Sequence, residues 1–144
     1  MSPTPKELKK ALINAGFEIY RTKGDEIAIA NRVRDNLIMD SGVRLRAGSP
    51  LGVKMIVGIR RAEFPDEDDA ALFSRVRDVA RPALLQGFRE MSSGTTPVLD
   101  PTDPSRTLDT FYEVTFEKTE EHLEEALSAV RIAIAVAKLA EPRA

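Results

Sequence analysis

Between Asn31 and Arg61 apolar and basic residues alternate with a period of two. Val43 and Leu45 alternate with Arg44 and Arg46, and Val53, Met55, Val57 and Ile59 alternate with Lys54, Ile56, Gly58 and Arg60. Successive side chains of a strand point to opposite faces, so this stretch reads as sheet with one apolar and one cationic face. Folding does not require the solvent face to be basic. The pattern therefore describes a surface available for binding, made by Arg32, Arg44, Arg46, Lys54 and Arg60.

The flanking sequence supplies the remaining elements. Thr4-Pro5-Lys6-Glu7 predicts a capped helix start, Leu8, Leu12 and Ile13 its apolar stripe, and Gly16 its end. Phe17 to Arg21 reads as a first strand, with a turn at Lys23-Gly24-Asp25. Ile27, Ile29 and Val33 mark a second strand, with a turn at Asp35-Asn36. Leu37, Met39, Val43 and Leu45 mark the inner face of a third, and Leu51 to Arg61 is a fourth, so the four form an antiparallel meander. Asp66 is the expected N-cap of a helix carrying Leu72, Phe73, Val76 and Val79, which ends or restarts at Pro82. Leu85 to Met91 reads as a short strand and Phe111 to Phe116 as a strong one. Between them the Ser, Thr, Pro, Gly and Asp of Ser92–Arg106 predict a long loop, flexible through residue 108.

Thr119 is the expected cap of a last helix with Leu123, Leu127, Val130 and Ile134 as its core stripe. Beyond Ala129 this helix is apolar nearly all round, which requires cover on more than one side. The sheet is one cover. An internal helix or a second copy is the other, and two-fold homo-oligomers are common enough to favour the copy. The expected homodimer interface is Ala129, Ile132, Ala133, Val136, Ala137 and Ala140. The order α-β-β-β-β-α-β-β-α implies a single α+β domain over residues 1–144, two-layered, with helices on one face of a mainly antiparallel sheet.

Composition adds a charge dipole. The net charge is −2, yet residues 21–61 carry a net +5 and residues 62–144 a net −8. Such asymmetry steers an acidic partner to one side, unless the chain's own carboxylates fill it. No apolar run approaches a membrane span, the N-terminal residues lack the apolar core of a secretory signal, and a cytoplasmic protein is the expectation. With no cysteine, disulfides and thiolate chemistry are absent.

The candidate chemistries are weak. Gly42, Gly48, Gly52 and Gly58 match neither phosphate-binding fingerprint and read as turn or bulge glycines. The single histidine, His122, has Thr119 where a di-metal helix would carry Glu, so no metal site is expected. No serine sits in a nucleophile elbow. The expectation is a protein that is not an enzyme and takes no cofactor. Nucleic acid or another polyanion is the alternative partner for the arginine-rich face, although the outward positions of the third and fourth strands carry no aromatic platform and the pI is near 5.5.

The opening helix ending in Leu12-Ile13-Asn14-Ala15-Gly16-Phe17, the meander, the middle helix, Phe111-Tyr112-Glu113-Val114 and the closing helix together resemble the class I type III secretion chaperones and YbjN-like proteins. The resemblance covers most of the chain in element order and contains no diagnostic motif. It implies a small, acidic, often dimeric α+β protein that holds a segment of another protein without catalysis. The Pro/Asp-rich stretch and the arginine-rich face depart from that pattern. The function expected is thus a chaperone-like protein-binding module that docks an acidic or extended segment on its sheet.

Overall fold

The computed structural model describes residues 3–34 and 37–140. The turn expected at Asp35-Asn36 lies outside them, as does the side chain of Val33. Helix α1 (Pro5–Asn14) begins at a full capping box: the Glu7 N–H donates to Thr4 Oγ1 (3.2 Å) and the Thr4 N–H to Glu7 Oε1 (3.0 Å). Strands β1 (Ile19–Lys23), β2 (Glu26–Arg34), β3 (Leu37–Arg46) and β4 (Leu51–Arg60) follow as an antiparallel meander. A 3-10 turn (Arg61–Glu63) leads to α2 (Asp69–Val79) and the five-residue α3 (Arg81–Leu85). Strands β5 (Arg89–Asp100) and β6 (Asp103–Glu120) and helix α4 (Leu123–Leu139) complete the chain. The six strands form one antiparallel sheet in the order β1-β2-β3-β4-β6-β5.

The helices cover one face of that sheet, giving the expected two-layer α+β fold. α4 packs on β3, β4 and β6, α2 on β4 and β6, and α1 on β1 and β2. Val43, Leu45, Val53, Met55, Val57, Val114 and Phe116 meet Leu8, Leu12, Leu72, Val76, Val130 and Ala133 in a single buried cluster. The period-two reading of β4 holds along its whole length: Leu51, Val53, Met55, Val57 and Ile59 are all buried. Apolar burial of this kind is the main favourable term in folding.

Four local expectations are corrected. Asp68, not Asp66, caps α2, accepting from the Ala71 N–H at 2.8 Å. Arg61 donates to the Glu67 carbonyl at 3.0 Å and so holds the preceding residues outside the helix. Asp68→Ala should therefore cost about 1 kcal/mol and Asp66→Ala less than about 0.5 kcal/mol, read as shifts in the urea midpoint. Thr119 lies in β6, paired with Gly52, and His122 stands at the N-cap of α4 without a side-chain cap bond. The strand expected at Leu85 to Met91 starts only at Arg89, because α3 occupies Arg81–Leu85 and a turn follows it. Leu37 and Met39, expected on the inner face, are 48% and 53% exposed, since they lie beyond a kink that takes β3 off the core.

The largest correction concerns Ser92–Arg106. This segment is a β-hairpin whose strands pair from Arg89↔Glu117 to Asp100↔Asp103. β4 accompanies β6 only as far as Arg60↔Phe111, so the end of the hairpin extends past β4 as a two-stranded arm. Both faces of the arm meet solvent, which is why it lacks the apolar alternation that reveals a core strand. Its β-branched threonines favour the pleated state, and Pro97 is tolerated because β5 is an edge strand. At the tip Asp100 accepts from the Thr102 N–H (2.9 Å) and hydroxyl (2.7 Å), closing the turn.

Candidate binding face

Residues paired across antiparallel strands share a face, so the register places Ala28, Arg44, Lys54, Glu117 and Arg89 in one row on the side away from the helices. The neighbouring row on one side holds Glu26, Arg46, Gly52 and Thr119; on the other side the row of Ile56, Thr115 and Ser92 is followed by Gly58 with Glu113 and Gly94. The cationic residues expected here are present. They are not a bare cationic surface. Arg44 grips Asp40 through both terminal nitrogens at 2.6 Å, and Arg32 grips Glu18 at 2.7 and 2.8 Å. Arg46 pairs with Glu117 (3.0 Å), Lys54 with Glu26 (3.7 Å) and Arg60 with Asp109 (3.2 Å). The positive excess of residues 21–61 is thus met partly by carboxylates of β6, folded beside it.

The Arg46–Glu117 pair has a particular construction. Arg46 sits on β3 and Glu117 on β6, with β4 between them. The guanidinium crosses β4 over Gly52, where an added Cβ would lie 2.5 Å from Arg46 Nη2 and 2.7 Å from its Cζ. A glycine on the middle strand is what allows a cation on one neighbour to reach a carboxylate on the other.

β3 and β4 separate a few residues farther on. Their paired register runs from Arg46↔Gly52 to Val43↔Met55 and stops. The cause is a kink at Asp40-Ser41-Gly42. Asp40 Oδ1 accepts from the Gly42 N–H (2.8 Å), Ser41 Oγ accepts from the Val43 N–H (3.1 Å), and Ser41 donates to the Ile29 carbonyl (2.6 Å). Backbone N–H groups at the kink are thus satisfied by local side chains, and Ser41 ties the kink to β2. Between the departing β3 and β4 lies a depression of about 410 Å³ lined by Asp40, Ser41, Gly42, Arg44, Ile56, Gly58, Phe111 and Glu113. That volume falls within the roughly 300–1,000 Å³ of ligand sites.

Three carboxylates paired with the cations of this face, Asp40, Asp109 and Glu18, are held low. Burial pushes Asp40 up, but hydrogen bonds from Arg44 and the Gly42 N–H outweigh it and hold the acid below its usual range. Asp109 follows the same balance, with Thr110, Ala62 and Arg60 as donors against burial. Glu18 is lowered chiefly by its hydrogen bond from Arg32. A lowered folded-state pKa means that the unfolded chain binds more protons as the solution is acidified, so the stabilisation is complete above the unfolded value and is lost as pH falls through the folded one. The urea midpoint should therefore fall on acidification below about pH 4. Asp40→Asn should remove part of that slope, and an unchanged profile in this variant would deny Asp40 its share.

The residues expected at a homodimer interface are placed otherwise. Ala129, Ala133 and Val136 are buried in the chain's own core, and Ile132, Ala137 and Ala140 pack partly buried against it. α3 and the sheet supply the second cover that the all-round apolar helix requires. Ala129, Ala133 and Val136 thus belong to the seam between α4 and its own fold, and Ile132, Ala137 and Ala140 keep part of their surface exposed.

Sequence reasoning missed Glu113, Gly58, Phe111 and Asp40. Glu113 alternates with Tyr112 and Val114, so its outward direction was readable from the period of two. Its place beside Gly58 required the strand register. Among the described residues no cluster of three or more His, Asp or Glu is placed to hold a metal ion, and no helix is long and apolar enough to cross a membrane. No family model, curated protein or solved structure matches the chain.

Proposed function

We propose that this protein is a non-catalytic, chaperone-like binding module that holds an extended segment of another protein on the helix-free face of its sheet. The observation that carries this reading is the separation of β3 from β4. Ile56 turns its carbonyl toward β3 at Gly42, so the two-residue period turns the N–H and C=O of Gly58 to the same side, where the paired register has ended. A strand that loses its neighbour offers main-chain hydrogen bonds to an added strand, a recurring mode of peptide recognition. The adjoining depression gives the added segment a place for side chains.

The paired state of Arg44, Arg46, Lys54 and Arg60 moves the emphasis from an acidic partner to an extended one. Exposed ion pairs are weak individually, but an incoming polyanion must still displace the carboxylates already there. The test is capture from the native cell extract on immobilised protein, with and without nuclease, using wild type and Ile56→Lys. A protein that survives nuclease and is lost with Ile56→Lys is the expected result. Recovery that depends on intact nucleic acid would replace the reading with polyanion binding.

A further inference from the structure

We propose that the segment held at the β3–β4 separation is basic: one of its Lys or Arg side chains lies across Gly58 and pairs with Glu113. This rests on the extended-segment reading and adds the chemistry of the ligand. Glu113 lines the depression, is half-buried, and has no ion-pair or hydrogen-bond partner among the described residues. Arg44, which lines the same depression, is already engaged by Asp40.

The fold shows how such a pair is made. At Gly52 a cation of β3 crosses a side-chain-free position of β4 to a carboxylate of β6. At Gly58 a glycine on β4 again has a β6 carboxylate beside it, here its own register partner Glu113, whereas Glu117 lies diagonal to Gly52, whose register partner is Thr119. At Gly58 β3 has left, so the cation must come from whatever strand lies beside β4. The residue of an added strand opposite Gly58 points to the same face as Gly58 and Glu113 and stands two strand spacings, about 9–10 Å, from the carboxylate backbone. Arg46 spans the same two spacings to reach Glu117. Ile56 and Phe111 flank the crossing, giving the aliphatic stem an apolar bed.

The experiment is to pan a phage-displayed library of short random peptides in parallel against the full chain and against its Glu113→Gln and Glu113→Lys variants, each first shown to keep the wild-type urea midpoint. Wild type should enrich sequences with a Lys or Arg set among β-branched residues. A labelled synthetic copy of the best sequence should bind Glu113→Gln about tenfold or more weakly. Glu113→Lys should shift enrichment to Asp or Glu at that position, and Gly58→Val should abolish binding by blocking the crossing. Enriched peptides without a basic preference, bound equally by Glu113→Gln but lost with Gly58→Val, would overturn the pairing and leave the extended-segment reading standing. Enrichment that neither substitution alters, or none at all, would sink both.

Discussion

Ala133→Glu should remove most of the folded population, whereas Ala135→Glu, two residues along the same helix, should leave stability within about 0.5 kcal/mol. Ala133 is fully buried where α4 meets the sheet, and Ala135 is exposed. No polar or charged residue is buried among the described residues, so a carboxylate at 133 meets no compensating cation. An unpaired buried ion costs several kcal/mol after relaxation, and forcing a longer side chain into a packed seam adds about 1–3 kcal/mol. The sum of more than about 5 kcal/mol is comparable with the whole stability of an ordinary domain. Far-UV circular dichroism against urea reads the difference directly. A folded Ala133→Glu protein that merely becomes smaller on sizing would instead make α4 an interface between copies.

The seam was legible in the sequence as a need for cover, but the identity of the cover was not. Ala-rich surfaces pack equally well on a sheet, a short helix or another subunit. The choice depends on how α3, restarted at Pro82, folds back toward α4, and no periodicity encodes that. The inner face of β4 and the start and extent of the first helix were legible, because burial on one side and a capping box leave period and spacing signals, although Ile13, read into the helix's apolar stripe, is exposed. The β5–β6 arm was not, because a ribbon wetted on both faces is relieved of any apolar pattern and leaves only residues that also make loops.

Which carboxylates pair with the basic face was not legible either, for a related reason. Pattern gives the direction of a side chain and says nothing of what stands opposite it. Arg46 meets Glu117 across the intervening β4, and Arg60 meets Asp109 on the adjacent strand, both pairs being close in space and distant in sequence. A charge dipole along the chain became a set of local pairs once β6 was laid beside β4. Glu113 keeps no such pair among the described residues, because β3 parts from β4 beside it and withholds a neighbour.

That departure rests on Gly42, and Gly42→Ala should cost about 2–4 kcal/mol. Two effects combine there. Its φ of +82° is one that L-residues rarely adopt, and an added Cβ would lie 2.7 Å from the Ile56 carbonyl oxygen, a backbone atom that cannot swing aside. Gly24 separates the terms: its φ is +60° but nothing lies within 4 Å of an added Cβ, so Gly24→Ala should cost only about 1 kcal/mol. Equal losses at the two positions, measured by urea unfolding, would show that the contact with Ile56 carries no weight. A larger loss at Gly42 ties the kink to its close approach to Ile56, just beyond the last paired residues Val43 and Met55. Relieving the clash must move β3 or β4, and the depression beside Gly58 lies between them. Gly42→Ala should accordingly weaken any peptide selected at that site by more than its stability loss alone accounts for, measured at temperatures where the variant remains folded.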